Sequence, residues 1–259
     1  MSFSILNTLK NDIEIDSLNN SVRVLTRLTP KDYTKLHNIL NALGGSWIAS
    51  NQCFNFTKCP ATLINRAIEV GGRALNTFQF YPTPKPVFDY IKQFTSASFI
   101  GANGRTVKVL EPSIGEGALI DELVRFGSDN GYKYDIKGYE IDPLNALLAQ
   151  EKGYDVTVGD FLDQEPNPVY DLVLMNPPFK GTSYVKHIQH AQKFLSPDGQ
   201  LVSVVPTSWL MNQDKSKLEN WLFEEAIIHG SSDLCSADSF PPGTFKGANI
   251  ETMIVQIGS

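Results

Sequence analysis

The sequence predicts an α/β fold built on a mostly parallel sheet, preceded by a small α+β module. Beyond residue 77, short apolar strands alternate with amphipathic helices, which is the pattern of a parallel sheet covered on both faces. Before that point the pattern is β-α-β-β-α. With 42% hydrophobic and 19% charged residues among 259, the chain also has the composition of a globular protein. We therefore expect a module at residues 1–76 and a larger domain at residues 77–259.

The elements of the module follow from turn and cap residues. Residues 21–29 alternate apolar and basic side chains, which predicts a strand. Thr29 stands at an N-cap position and Pro30 at the first helical position, so a helix should follow and end at Gly44-Gly45. Short strands are expected at 47–48 and 54–56, and a second helix at 60–70. Of the aromatic residues Trp47, Phe54 and Phe56, we expect at least two in the core of the module.

The larger domain is predicted to contain seven strands. They are expected at residues 107–110, 136–141, 156–158, 170–175, 201–205, 226–229 and 252–257. Helices are expected between them at 118–126, 143–150, 184–195 and 215–223. Ligands of such sheets bind beyond the carboxyl ends of the strands, so the loops from strand to helix are the place to search for a site.

Charge is distributed unevenly along the chain. The net charge is -6, yet residues 21–85 carry eight basic and two acidic side chains, a net +6, and residues 86–259 carry -10. A polyanion would be attracted to the basic segment, although a solvated basic face without a partner fits the charge equally well. The basic residues Arg23, Arg27 and Lys58 are candidates for contacts with nucleic acid.

Several classes of protein are disfavoured by composition. The three cysteines, Cys53, Cys59 and Cys235, form no CxxC pair, so neither a disulfide framework nor a metal site is expected. No apolar run approaches the ~20 residues of a membrane helix. The amino terminus carries acidic residues where a signal peptide would be apolar. We expect a cytoplasmic protein with no membrane association.

The loop after the first strand of the larger domain has the sequence EPSIGEG, residues 111–117. Glycines at this position let the backbone approach a ligand closely. The acids Glu111 and Glu116, and the absence of a lysine, argue against a phosphate ligand, because like charges repel. A cationic or zwitterionic nucleoside fits the loop better, although such a glycine-rich turn is also common as a plain connection.

The next two strands end in acidic residues. Glu140 lies at the end of the second strand and is placed to accept hydrogen bonds from a ribose diol. Asp160 and Phe161 follow the third, an acid and an aromatic ring suited to the amine and the ring face of an adenine. Taken singly, each acid is better explained as a surface acid in a loop.

The fourth strand runs into Asn-Pro-Pro-Phe, residues 176–179. Consecutive prolines remove backbone donors and stiffen the loop. The carbonyl oxygen of Pro177 and the amide oxygen of Asn176 can then face a cleft together. Such a pair of acceptors can hold an NH2 group, so this loop is the candidate catalytic segment.

In this order the motifs resemble those of the class I S-adenosylmethionine-dependent amino-methyltransferases, and most closely the DNA adenine-N6 branch. The resemblance covers residues 78–259. It includes Phe-Tyr-Pro-Thr-Pro at 80–84, similar to a segment that closes over the methionine end of the cofactor in that branch, and a late segment at 245–252. The amino-terminal module is similar to a segment fused to phage- and plasmid-type adenine methyltransferases.

The resemblance implies a Rossmann-like domain, S-adenosyl-L-methionine as cofactor, DNA as substrate and base flipping. The implied catalytic residues are Asn176, Pro177, Pro178 and Phe179. The implied cofactor-binding residues are Tyr81, Thr83, Glu111, Pro112, Ser113, Gly115, Gly117, Glu140, Ile141, Asp160, Phe161 and Asn176. Phe179 and Phe245 are expected to contact the target base, with Arg23, Arg27 and Lys58 holding the nucleic acid.

Other functions share part of this pattern. Ribosomal-RNA guanine-N2 and release-factor glutamine methyltransferases also carry Asn-Pro-Pro-aromatic, and a non-catalytic protein can retain the fold. A cytosine-C5 enzyme is disfavoured, because no cysteine follows a proline. About eighty residues remain after Asn176, mostly needed to complete the sheet, so a large target-recognition domain is not expected there. The basic amino-terminal module is the candidate nucleic-acid clamp in its place.

Overall fold

The computed structural model describes residues 3–57, 59–69, 82–95, 104–208, 217–229, 239–245 and 249–258. The chain divides into two compact units. The amino-terminal unit comprises Met1–Phe78 and Asp142–Leu148, and the sheet unit comprises Gln79–Ile141 and Ala149–Ser259. The sequence places residues 142–148 wholly in the larger domain, whereas the structure groups them with the amino-terminal unit.

The amino-terminal unit is built on a four-stranded antiparallel sheet in the order β1-β2-β4-β3. Its elements are α1 (Phe3–Asn11), β1 (Ile13–Asp16), β2 (Ser21–Val24), α2 (Pro30–Ala42), β3 (Ser46–Ile48), β4 (Cys53–Asn55) and α3 (Ala61–Glu69). The predicted β-α-β-β-α order is confirmed for β2 to α3, although β2 ends five residues earlier than predicted. Elements α1 and β1 were not predicted, because β1 is a four-residue strand defined by its pairing with β2 and not by a long periodic pattern.

Thr29 begins helix α2 as the sequence predicts. Its hydroxyl accepts a hydrogen bond from the backbone N–H of Asp32 (3.2 Å) and donates one to the Asp32 carboxylate (2.9 Å). Pro30 occupies the first turn, where a missing N–H costs nothing. The helix ends at Ala42, just before the two glycines.

The core of the amino-terminal unit draws on helices α1, α2 and α3 and on a fourth segment. Helix α6, Pro143–Glu151, contributes leucines from its first two turns. Phe54 is fully buried, and Trp47 and Phe56 pack against the same cluster, which confirms that these aromatics serve the core. The most buried members of the cluster, each 1% exposed or less, are Ile5, Val22, Leu36, Leu40, Phe54, Ile64, Ala67 and Leu144.

The charge of this unit is lower than the linear sequence suggests. Strand β1 places Glu14 opposite Arg23 in the sheet, and their side chains lie 3.8 Å apart. Counted over the whole unit, eight basic and six acidic residues leave a net charge of +2, and the sheet unit carries -8. The contrast of +6 and -10 is therefore reduced, because residues 1–20, at -2, and Asp142 belong to the same unit as the basic segment, whereas Lys85 belongs to the sheet unit.

The sheet unit contains seven strands in the order β10-β11-β9-β8-β5-β6-β7. Its elements are α4 (Lys85–Phe94), β5 (Thr106–Glu111), α5 (Ala118–Asn130), β6 (Lys133–Glu140), the end of α6, β7 (Asp155–Val158), β8 (Tyr170–Met175), α7 (Ser183–Gln192), β9 (Leu195–Pro206), α8 (Lys217–Glu225), β10 (Ile227–His229) and β11 (Thr252–Gly258). Among the strands that the structure describes, β11 runs antiparallel to β10 and β9, and the other pairings of this sheet are parallel. The predicted mostly parallel, seven-stranded sheet of Rossmann-like type is confirmed.

The strand order reverses at β5. From β5 the chain first builds outward through β6 and β7, then returns to the other side of β5 for β8 and β9. Such a switch point opens a crevice at the carboxyl edge of the sheet, because the loops leave the sheet on opposite sides. The loops after β5, β6 and β8 are therefore neighbours.

The cap of α2 gives a direct test of the local prediction. We expect Thr29→Ala to lower the free energy of unfolding of the amino-terminal unit by about 1 kcal/mol, because the N–H of Asp32 loses its acceptor. Thr34→Ala is the matched control, since the Thr34 hydroxyl in the same helix only donates to the carbonyl of Pro30. Urea unfolding measures both variants, and equal stability in the two would contradict the role of Thr29.

Candidate active site

The glycine-rich loop after β5 is held against the neighbouring strand. The N–H of Ile114 donates to the carbonyl of Tyr139 in β6 (3.0 Å), and the N–H of Gly115 donates to the Glu140 carboxylate (2.8 Å). Gly117 begins helix α5 with φ +88°, and a Cβ there would lie 2.8 Å from the ring of Tyr154. Glycine is thus required at position 117 for both backbone and space.

The side chain of Glu140 is buried at the carboxyl end of β6. Because its carboxylate accepts the Gly115 N–H, the acid is fixed beside the glycine loop instead of extending into solvent. Pro112 lies buried in the loop, and Ser113 is half-buried beside it. The loop residues and the acid that the sequence proposes as cofactor-binding are therefore brought together.

Glu111 ends β5 and is 1% exposed. Among the residues that the structure describes, none donates a hydrogen bond to its carboxylate oxygen Oε2, and the other oxygen accepts a long bond from the N–H of Ser113 (3.4 Å). Burial raises the pKa of Glu111 well above its usual value, with a smaller contribution from the charge of Glu140. Backbone N–H groups of Ser113 and Asn176 oppose that rise.

Two apolar side chains are exposed where β6 and β7 end. Ile141 is 40% exposed and Val158 is 48% exposed, and Val158 pairs with Glu140 across the two strands. Exposed aliphatic groups flanking a buried carboxylate suit a flat ring that carries a polar sugar. The sequence singled out Ile141 but missed Val158, because the last residue of a short strand gives no sign of its exposure.

The loop after β7 differs from the expectation in one residue. Asp160 accepts the N–H of Leu162 (2.9 Å) and begins a 3₁₀ turn at Phe161–Asp163. The Phe161 ring is 2% exposed and lies against Tyr139, His190 and Phe194. Since the ring is packed in the core, its proposed contact with the face of an adenine is not supported. Asp160 stays half-exposed at the edge of the sheet.

The Asn-Pro-Pro-Phe loop begins where β8 ends. The side-chain nitrogen Nδ2 of Asn176 donates to the hydroxyl of Thr83 (3.1 Å), which joins this loop to the segment before α4. Pro177 is buried, whereas Pro178 and Phe179 are half-buried. Thr83 is thus brought to the candidate catalytic residue. Tyr81, its predicted neighbour in the site, lies outside the described residues.

Phe179 opens onto a pocket of about 590 Å³. This volume is in the range of small-molecule sites, ~300 to 1,000 Å³. Acidic and neutral polar groups line it together with the aromatic ring; among the lining residues are Phe179, Tyr184, Thr207, Glu219, Asn249 and Glu251. Apart from Phe179, the sequence singled out none of these six for substrate contact, because they come from separate elements that only the fold assembles.

Phe245 does not reach a substrate surface. Its side chain is 1% exposed, so the ring belongs to the core, and the expected second face of a base sandwich is wrong for this residue. In the amino-terminal unit, Arg27 is exposed and Arg23 is exposed beside Glu14. Lys58 lies outside the described residues.

Neither a metal centre nor a membrane span occurs in the part of the chain that the structure describes. There, no three His, Cys, Asp or Glu side chains are placed to hold a metal ion. None of the helices in those ranges combines the length and hydrophobicity of a membrane span.

The raised pKa of Glu111 has a measurable consequence for stability without ligand. The folded state favours the protonated carboxyl of Glu111. The free energy of unfolding of the wild type should therefore fall as the pH rises from about 4.5 to the pKa that Glu111 has in the folded state. Glu111→Gln removes this ionisation, so it should melt above wild type at pH 8 and close to wild type at pH 4. Glu165→Gln, on an exposed loop, is the control. The same Glu111→Gln difference at both pH values would contradict the assignment.

Part of the chain is similar to known methyltransferases. Residues 133–225 match the methyltransferase small domain family. The chain is 30% identical over 148 residues to the type II methyltransferase M.TthHB8I of Thermus thermophilus, covering 46% of this chain and 33% of that protein. It is 27% identical over 164 residues to the type II methyltransferase M.CvrRI of Paramecium bursaria Chlorella virus XZ-6E, covering 56% and 41%. The chain therefore spans less than half the length of either relative.

A solved structure supports the fold. A Listeria monocytogenes protein described as a class I S-adenosylmethionine-dependent methyltransferase superposes with a TM-score of 0.55 at 15% identity, covering 77% of this chain and 67% of that one. Its likeness concerns the fold alone. The sheet order and the superposition show the fold of class I methyltransferases, and residues 133–225 match a methyltransferase family. This fold and this family match imply S-adenosyl-L-methionine as the methyl donor.

Proposed function

We propose that the chain transfers a methyl group from S-adenosylmethionine to the exocyclic N6 of adenine in DNA. The observation that carries this proposal is the Asn-Pro-Pro-Phe loop at the end of β8, beside a pocket that Phe179 lines. The loop offers two acceptors for one amino group, and the pocket offers space for the ring that bears it.

The carboxyl edge of the sheet fits the methyl donor, which when bound supplies an electrophilic methyl group on a sulfonium. Glu140 would hold the ribose hydroxyls, and Ile141 and Val158 would contact the adenine ring. Asp160 would accept from the adenine amine. The unpartnered Oε2 of Glu111 fits the positive charge of the donor, because a nearby cation stabilises a buried carboxylate.

The proposed chemistry at Asn176 and Pro177 follows from the electronic structure of an aromatic amine. The N6 lone pair is delocalised into the ring, so the amine is a poor nucleophile. If the Asn176 side chain and the Pro177 carbonyl accept its two hydrogens, the nitrogen becomes more tetrahedral and its lone pair is freed. Positioning and electrostatics would supply most of the acceleration.

The pocket supports an uncharged amino-bearing ring as its occupant. Its acids, Glu219 and Glu251, repel a phosphate, so the sugar-phosphate backbone would stay outside while the base enters. Phe179 would stack on that base, a contact worth ~1 to 3 kcal/mol. A base reaches such a pocket only after leaving the duplex stack.

DNA is favoured over other substrates by the relatives, both of which are type II methyltransferases. The same loop could also bind the amino group of an RNA guanine or of a protein amide. In a non-catalytic protein, the loop would bind no substrate. Incubation with tritium-labelled S-adenosylmethionine and separate pools of DNA, RNA and protein distinguishes these four cases. We expect label in DNA. Label only in RNA or only in protein would replace the proposal, and label in none would reject catalysis.

The amino-terminal unit is proposed to hold nucleic acid through exposed cations. Its net charge of +2 is modest, yet Arg27 and Arg23 project from the end of β2 and the segment after it. Arg27 is the stronger candidate, because Arg23 lies 3.8 Å from Glu14. The apolar residues of the unit are used in its own core.

Asn176→Ala should reduce methyl transfer at least about a hundredfold, because the target amine loses one of its two acceptors. Folding and cofactor affinity should change little. Asn167→Ala, in the exposed loop before β8, is the matched control and should retain wild-type turnover. Initial rates of label transfer measure both variants. Near-wild-type turnover in Asn176→Ala would contradict the mechanism.

Glu140→Ala should weaken S-adenosylmethionine binding by ~1.5 to 3 kcal/mol, the range for a hydrogen bond to a charged group. Titration calorimetry of the purified protein measures this affinity directly. Glu165→Ala removes an exposed carboxylate of the same unit and should leave affinity unchanged. Unchanged affinity in Glu140→Ala would remove this residue from the cofactor site.

Replacement of Arg23 and Arg27 by glutamate should make DNA binding less dependent on salt. Each phosphate contact contributes about 0.9 to the slope of log affinity against log salt concentration. The matched control reverses Lys133 and Lys193, two exposed lysines of the sheet unit, and changes the net charge equally. We expect the slope to fall by up to about two units in the arginine variant only. Equal slopes in both variants would assign the unit to folding instead.

A further inference from the structure

Thr83 stands where sequence rules would place a helix cap, yet it does not cap the helix. Helix α4 begins at Lys85, its N-cap is Pro84, and no side chain caps it. The hydroxyl of Thr83 instead accepts a hydrogen bond from Nδ2 of Asn176, 93 positions later in the chain. Thr83 is only 7% exposed, so water competes little for this contact.

The two neighbours of Thr83 are prolines. Proline fixes its own φ and restricts the residue before it to extended backbone. Pro84 accordingly has φ -77° and ψ 154°. Pro82 and Pro84 therefore limit the backbone freedom of Thr83, so its hydroxyl is a well-defined point for the Asn176 side chain to bind.

The direction of the Asn176 amide decides what this residue can do. An asparagine amide carries an acceptor, Oδ1, and a donor group, Nδ2, of nearly the same shape. An amino group of a substrate needs the acceptor. With the amide turned over, two N–H groups would face each other and the substrate amine would be repelled. A catalytic asparagine therefore needs a partner that holds its Nδ2 away from the substrate.

We propose that Thr83 is a positioning residue for methyl transfer, because its hydroxyl holds Nδ2 of Asn176 and so directs Oδ1 to the substrate amine. This inference rests on the proposed function of the Asn-Pro-Pro-Phe loop. It gives Thr83 a role in turnover that differs from the cofactor contact implied by the sequence resemblance. The two roles predict different kinetic constants.

The decisive pair of variants is Thr83→Val, which keeps the shape and removes the hydroxyl, and Thr83→Ser, which keeps the hydroxyl. With DNA as substrate, Thr83→Val should lower kcat by about tenfold or more, with KM for DNA and S-adenosylmethionine affinity within about twofold of wild type. Thr83→Ser should recover most of the lost kcat. A fall in S-adenosylmethionine affinity with kcat unchanged would overturn the proposal and return Thr83 to the cofactor site.

A second readout does not depend on activity. The Asn176 side-chain NH2 signal in a nitrogen-15 NMR spectrum is identified by its loss in Asn176→Ala. Its hydrogen exchange should be slow in wild type and Thr83→Ser and several-fold faster in Thr83→Val. Equal exchange in wild type and Thr83→Val would contradict the contact. Should wild type transfer no methyl group to DNA, the proposed function fails, while the NMR comparison still decides whether Thr83 orients Asn176.

Discussion

The parallel pairing of β5 with both β6 and β8 is the constraint on which the candidate site depends. Val109 in the middle of β5 pairs with Ile136 on one side and with Leu172 on the other. Because the three strands run in the same direction, their following loops leave the same edge of the sheet. The backbone hydrogen bonds between these strands are enough to bring three residues that are distant in sequence to that edge: Glu111, Glu140 and Asn176.

The bounds of helices and strands were predicted well where they depend on signals within a few residues of sequence. The strand Tyr170–Met175 has its predicted bounds, and Thr29 caps α2 through the predicted position. Burial was harder to predict, since it depends on distant elements. Phe161 and Phe245 were assigned to ligands because they adjoin motifs, yet the fold packs both into the core. The Thr83–Asn176 bond had no local signal at all, because its partners lie 93 residues apart.

The distribution of charge bears on the proposal that a chain of net charge -6 acts on a polyanion. Five acids of the sheet unit lie where we propose a cationic donor and an amino-bearing base, and they disfavour phosphate there: Glu111, Glu140, Asp160, Glu219 and Glu251. Glu111 adds a further element, because burial raises its pKa and a bound cation would lower it again. The amino-terminal unit carries the net positive charge, at +2, which limits its attraction for DNA to a few exposed side chains.

In the proposed reaction, the acceptor pair at the end of β8 acts on the amino group of adenine. Digestion of DNA treated with the protein and S-adenosylmethionine, followed by mass spectrometry of the nucleosides, identifies the methylated atom directly. We expect N6-methyladenine to be the main product of the wild-type protein. Methylation of cytosine or of a ring nitrogen, with adenine N6 unmodified, would contradict it.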